Sequence, residues 1–394
     1  MFSDKIVQNL SKSSWIRAMF EEGEKLREIY GADKVYDFSL GNPDSEPPLA
    51  VLNSIAKYAG VVSNGIHKYM PNAGYNDVRE KIAFYVNEET GVNFTASNIV
   101  MTCGAAGGLN TVLKAILNPS DEVIVLAPFF VEYLSYIDNH GGIGVIVPPN
   151  PPTFQPNSTI LEKYITPKTK AIIINSPNNP TGVIYNEASL EAINEVISKK
   201  EKEFGIQIYI ISDEPYTRIV YDGVKVSSIP VIFKNAIIVN SYSKSLALPG
   251  ERIGYVAASP NIEGIELLIS AITYCNRVLG YVNAPSLFQK VVADTHNESV
   301  DVDSYKARRD KLYGNLIKLG FECVKPDGAF YLFVKSPIPD DIEFKNVAMG
   351  YNILVVPGTG FGCSGYFRLA YCVNMSVIDN SLPAFKKLAK GFFN

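Results

Sequence analysis

The sequence predicts an α/β protein with a large domain, built on a mostly parallel sheet between helices, and a smaller α+β domain. Three observations predict this. Apolar runs such as 122–126, 170–174 and 207–211 are continuous rather than alternating, which suits strands buried on both faces. Segments with helical spacing lie between them, which suits right-handed crossovers in a parallel sheet. The residues capable of chemistry gather where these runs end, and open α/β sheets bind ligands at the carboxyl ends of their strands.

Composition sets the outer bounds. The chain has 394 residues, 47% hydrophobic and 19% charged, with a net charge of −4. That is enough for a large domain and a smaller one. No basic stripe is present, so no nucleic-acid partner is expected. No apolar run approaches the ~20 residues of a membrane helix. Residues 1–10 mix charged and polar side chains and do not read as a signal peptide, so a cytoplasmic protein with no membrane partner is expected. The cysteines at 103, 275, 323, 363 and 372 form no CxxC pair, and the histidines at 67, 140 and 296 are scattered. Free thiols and no metal site are the expectation.

In chain order, residues 14–30 carry apolar positions at helical spacing. A short strand at 35–40 ends in the turn Gly41-Asn42-Pro43-Asp44, where a glycine lets a ligand approach the backbone or simply makes the turn. Tyr69-Met70-Pro71-Asn72-Ala73-Gly74 precedes a helix over 75–86. A strand at 98–102 runs into Gly104, Ala105 and Ala106, and a helix follows from Leu109 to Leu117. A strand, small residues and a helix start offer N–H groups and a positive dipole end to an anion. Small residues also serve close helix packing. Strands are expected at 122–126, 144–147, 170–174, 207–211, 237–239 and 252–258, with helices at 131–137 and 190–197. After Asn283-Ala284-Pro285 the pattern changes. A helix at 304–318, strands at 329–334, 353–358 and 366–371, and a closing helix at 376–393 make the smaller unit. The expected division is residues 1–45 packing with the small domain, 46–284 as the large domain, and 285–394 as the small one.

The chemistry centres on Ser241-Tyr242-Ser243-Lys244, with Arg252 eight residues on. A lysine at the end of a buried strand loses part of its preference for charge, which makes it a usable nucleophile toward an aldehyde. Ser241, Ser243 and Arg252 supply the hydroxyls and forked cation that a phosphate takes. An aldehyde that carries a phosphate is pyridoxal 5'-phosphate (PLP). The plain alternative is a loop with a solvated lysine and an ion-paired arginine. For a pyridine ring, Asp213 suits the ring nitrogen, Phe130 the ring face, and Asn179 with Tyr216 the ring oxygen. Each also has an ordinary reading as turn cap, core residue or turn. Arg368 stands mid-strand among apolar neighbours and needs an anion, either a ligand or an internal Asp or Glu.

On Asn179-Pro180-Thr181-Gly182, Asp213 with Tyr216, Ser241-x-Ser243-Lys244 with Arg252, and Arg368, the chain resembles the PLP-dependent aminotransferases of fold type I. The group is class I/II, which includes the aspartate and alanine aminotransferases, and the resemblance runs over nearly the whole chain. It implies a seven-stranded sheet in the large domain. It implies that Lys244 forms the internal aldimine and moves the proton, and that Arg368 clamps the substrate α-carboxylate with Asn179 and the Gly41 backbone. It implies that Tyr69 reaches the phosphate of a neighbouring subunit in a homodimer with shared active sites. It also implies amino transfer from an L-amino acid to a 2-oxo acid, and often a cis bond at Asn179-Pro180. Aspartate-type members read a side-chain carboxylate with a second arginine. Here Val278 stands at the matching point and Arg277 precedes it, so the resemblance carries no dicarboxylate preference onto this chain. A PLP-dependent C–S β-lyase shares most of these contacts and is the alternative, with a non-catalytic PLP-binding regulator behind it.

Overall fold

The computed structural model describes residues 2–11, 15–60 and 65–393, without the side chains of residues 8, 9, 11, 15–21 and 32. The N-terminal segment carries α1 (Asp4–Ser11), α2 (Trp15–Tyr30) and the two-residue β1 (Tyr36–Asp37). Helices α3 (Leu49–Ala59) and α4 (Asn76–Thr90) lead into β2 (Ile99–Thr102) and α5 (Gly104–Ile116). Next come β3 (Glu122–Leu126), α6 (Glu132–Asn139), β4 (Ile143–Val147), α7 (Ser158–Glu162), β5 (Thr169–Asn175) and α8 (Glu187–Phe204). They are followed by β6 (Tyr209–Asp213), α9 (Ile229–Ile232), β7 (Ala236–Ser241), the one-turn α10 (Tyr242–Ser245) and β8 (Gly254–Ala258). Helices α11 (Ile265–Val278), α12 (Ser286–Thr295) and α13 (Val302–Lys318) precede β9 (Tyr331–Lys335) and α14 (Asp341–Met349). The chain closes with β10 (Ile353–Leu354), β11 (Val356–Pro357), β12 (Tyr366–Ala370) and α15 (Met375–Ala389).

Strands β2 to β8 form the expected seven-stranded sheet, in the order β2-β8-β7-β6-β5-β3-β4. All run parallel except β8, which is antiparallel to both β2 and β7. The strands are apolar throughout because both faces are covered. Along β5, Ala171 and Ile173 pack with α5, α6 and α11, while Ile172 and Ile174 pack with α7 and α8. Strands β11, β12 and β9 form a separate antiparallel sheet. A second core builds on it from α13, α15 and the fully buried Phe38 of the N-terminal segment. Strand β1 pairs in parallel with β10 and ties that segment down.

Several elements differ from expectation. The strand expected at 35–40 keeps only two ladder residues. Beyond them, Ser39 N–H and Oγ–H bond to the Asp37 carboxylate at 2.9 and 2.6 Å, and these local bonds compete with a ladder. Helix α5 begins at Gly104 rather than Leu109, so the small residues form its first turn. Helices α3, α11 and α12 were not expected. Their N-caps are Pro48, Gly264 and Pro285, none of which makes a side-chain cap, so the usual start signal is missing. Helix α14 was also not expected, although Asp340 caps it through Ile342 N and Glu343 N. Helix α12 packs with α3 and α4 against β2 and β8. The second core takes over near Val300.

Candidate active site

A cavity of about 290 Å³ opens at the carboxyl ends of β5, β6 and β7, beside the start of α5. Gly41, Ala105, Ala106, Phe130, Asn179, Asp213, Tyr216, Ser241, Ser243, Lys244, Arg252 and Arg368 all line it. Gly104 borders it, because a Cβ there would stand 2.8 Å from Arg252 Nη2. Tyr69 lies apart. It is 92% exposed and lines a separate hollow with Tyr281, Val282 and Asn283. Arg277 is also elsewhere, stacked over the Tyr274 ring at 5.4 Å.

Lys244 is presented by local geometry. Ser241 ends β7 and caps α10, its Oγ accepting from Ser243 N at 3.3 Å. The turn aims Lys244 into the cavity, where Nζ donates to Gly41 O at 2.7 Å. Burial lowers the amine to about 8, and the nearby cations Arg252 and Arg368 push the same way. A substantial neutral fraction therefore exists near physiological pH.

Asp213 closes β6. Tyr133 O–H donates to its Oδ2 at 2.5 Å, and Oδ1 is buried with no partner among the described residues. Burial raises this carboxyl to about 6, and the Tyr133 hydrogen bond opposes the rise. Asn175 links the neighbouring strand end to the next loop. Its Nδ2 donates to Asp213 O at 2.9 Å and its Oδ1 accepts from Asn179 N at 2.7 Å. The Asn179-Pro180 bond is cis, as the resemblance implied.

Arg368, in β12, is 1% exposed, and no carboxylate bonds it among the described residues. Of the two alternatives, an internal Asp or Glu partner is not found among the described residues. Instead Nη1 donates to Asn179 Oδ1 at 3.0 Å and Nη2 to Ser39 O at 2.5 Å. The rings of Tyr331 and Phe361 lie 4.7 and 4.9 Å from the guanidinium. Its Nε has no partner among the described residues, and burial pulls its pKa down. A buried cation held by neutral groups is a site for an anion.

The other end of the cavity also suits an anion. The N-terminus of the 13-residue α5 meets Ser241, Ser243 and Arg252 there. Arg252 has φ +52° and its Nη1 donates to Pro249 O at 2.8 Å, which folds the guanidinium back over Gly104. Two anion sites thus flank an amine and a bare carboxylate oxygen.

Tyr133 and Tyr331 are among the site residues that the sequence did not reveal. Tyr133 lies one position past the start of α6, three residues after Phe130, and its ring meets Phe130 edge-on at 5.5 Å. Tyr331 lines the cavity and its hydroxyl is 2.8 Å from that of Tyr216. Both pass in sequence for ordinary core aromatics, and only the position of Tyr133 near Phe130 gave any signal. Among the described residues, no three His, Cys, Asp or Glu are placed to hold a metal ion, and no helix is long and apolar enough to cross a membrane.

Sheet order and cavity together place the chain among the fold type I transferases. The chain belongs to the aminotransferase class I and II family, whose model matches residues 33–385. A Thermus aquaticus protein named "Probable aspartate/prephenate aminotransferase" is 33% identical, covering 88% of this chain and 89% of its own. The crystal structure of an amino transferase from Eubacterium rectale superposes with a TM-score of 0.97 at 40% identity over 100% of both chains. Aspartate aminotransferase from Thermus thermophilus with maleate gives a TM-score of 0.86 at 28% identity, covering 98% of this chain and 100% of that one. The named relatives are aminotransferases, which favours transamination over the β-lyase alternative.

Proposed function

We propose that this enzyme moves an amino group between an L-amino acid and a 2-oxo acid, with PLP held on Lys244. The observation that carries this is the meeting in one cavity of the Lys244 amine, held on Gly41 O, and the Asp213 carboxylate, whose Oδ1 has no partner among the described residues. The donor set fits the coenzyme. The amine suits the aldehyde, Oδ1 suits the ring nitrogen, Phe130 suits the ring face, and Asn179 and Tyr216 suit the ring oxygen. The α5 N-terminus with Gly104, Ala105, Ala106, Ser241, Ser243 and Arg252 suits the phosphate.

When bound, the coenzyme supplies an aldehyde for the amino group and a ring that accepts electrons while its nitrogen is protonated. Asp213 Oδ1 holds that proton in place. Arg368 orients the substrate α-carboxylate as a two-pronged donor, with Asn179 and the Gly41 backbone beside it. Lys244 Nζ takes the α-proton and returns it one position away, a task suited to an amine near neutrality. The return half uses the same residues with a 2-oxo acid. A second copy of the chain brings Tyr69 to the phosphate end of its partner's cavity, and the exposure of this aromatic supports that role.

Borohydride reduction of the PLP-loaded protein, followed by peptide mass mapping, tests the assignment. The reduced coenzyme should be found on the peptide containing Lys244. A label on another lysine, or none, would overturn it.

A further inference from the structure

Tyr331 stands where three parts of the site meet. Its hydroxyl is 2.8 Å from Tyr216 Oη. Its ring lies 4.7 Å beneath the Arg368 guanidinium. A Cβ on Gly41 would stand only 2.1 Å from the Tyr331 hydroxyl, so this oxygen fits only because residue 41 is glycine. Both tyrosines are buried. Burial pushes Tyr331 up to about 12 and Tyr216 well above its ordinary value, so each keeps its proton at working pH. The charged or ionisable groups that act on them are Arg368 on both, Asp213 on Tyr216 and Cys372 on Tyr331.

Each hydroxyl has one proton to donate. Either oxygen can be the donor within the pair. If Tyr216 donates to Tyr331, it has no proton left for a ring oxygen in the cavity. If Tyr331 donates, the Tyr216 proton is free and its O–H is polarised further.

We propose that Tyr331 is a positioning residue of this site: its hydroxyl donates to Tyr216 and so directs the Tyr216 proton to the ring oxygen of the coenzyme, while its ring supports Arg368. The inference rests on the coenzyme assignment above. It adds a residue that links the carboxylate clamp to the group holding the ring oxygen.

The test is a spectrophotometric pH titration of the visible band of the PLP-loaded protein, without substrate. A donor on the ring oxygen draws charge from it and weakens its hold on the neighbouring proton of the lysine linkage. Stronger donation therefore lowers the titration midpoint. In Tyr331→Phe the midpoint should rise by about half a unit, because Tyr216 loses its polarising donor. The KM for the amino acid should stay within about twofold, since the ring remains under Arg368. In Tyr331→Leu the midpoint should rise likewise and KM should increase about fivefold. A midpoint that stays or falls in Tyr331→Phe overturns the proposed donor direction. Equal KM values in the two variants overturn the support of Arg368. A merely structural role would lower the melting temperature of Tyr331→Phe and leave its midpoint alone. If Tyr331→Leu does not fold, the Phe variant still decides the direction. A wild-type protein without any visible band would instead fail the coenzyme assignment itself.

Discussion

Tyr133 donates to Oδ2 of Asp213 at 2.5 Å and leaves Oδ1 without a partner among the described residues, in a carboxylate that lines the cavity. This one bond does two things. It favours the ionised carboxylate against the cost of burial, and it occupies Oδ2 so that Oδ1 is left to accept from a ligand. Tyr133→Phe removes both. Turnover should fall on the order of tenfold, the worth of one hydrogen bond to a charged group. Steady-state kinetics at pH 7.5 on the PLP-loaded variant would check this. Unchanged kcat would mean that Asp213 needs no such partner.

The buried Asp213 carboxyl also sets a pH dependence. Its folded value, about 6, lies above its ordinary one. Its contribution to stability is therefore fully present below the ordinary carboxylate range and lost as pH rises through about 6. Asp213→Asn removes that loss. The coenzyme-free variant should be more stable than wild type at pH 8, on the order of 2 kcal/mol, and not at pH 4. Coenzyme binding should weaken in the same variant. Thermal melts of coenzyme-free protein at the two pH values measure the effect, and a variant less stable at pH 8 would contradict it.

Lys244 attacks as the neutral amine, and burial brings its pKa to about 8. The rate at which coenzyme-free protein captures PLP should rise with pH and level off, with a midpoint near 8. Stopped-flow absorbance across the pH range reads this directly. A midpoint at the ordinary lysine value would show that the amine is not desolvated as described.

Arg368 has no carboxylate partner among the described residues and is held between Asn179, Ser39 and two rings. Lysine cannot reproduce the two-pronged geometry. In Arg368→Lys, kcat/KM for the amino acid should fall at least about thirtyfold while the visible band stays. Loss of the band would assign Arg368 to coenzyme binding rather than to substrate.

Much of this was legible in the sequence because charge in an apolar run is anomalous. Lys244, Asp213 and Arg368 all sit at or within strands whose neighbours are apolar, and each proved to face the same cavity. Continuous runs such as 170–174 also announced a sheet covered on both faces. Tyr133 and Tyr331 were not legible, since an aromatic in a helix or strand reads as core until its hydroxyl is seen to have a partner. Helices α11 and α12 escaped because Gly264 and Pro285 replace the capping residues that mark a helix start. The β1 strand was overread because Asp37 and Ser39 bond each other instead of extending the ladder. Tyr69, which the resemblance assigns to a neighbouring subunit, is left at the surface by its own chain.

We propose that this cavity transfers amino groups through Lys244. The most direct test is to add L-amino acids one at a time to the PLP-loaded protein, with no 2-oxo acid present, and record the absorbance. For the true donor the visible band should give way to the near-ultraviolet band of the amino form of the coenzyme, with one 2-oxo acid released per site. A visible band that persists while ammonia or pyruvate accumulates would contradict it.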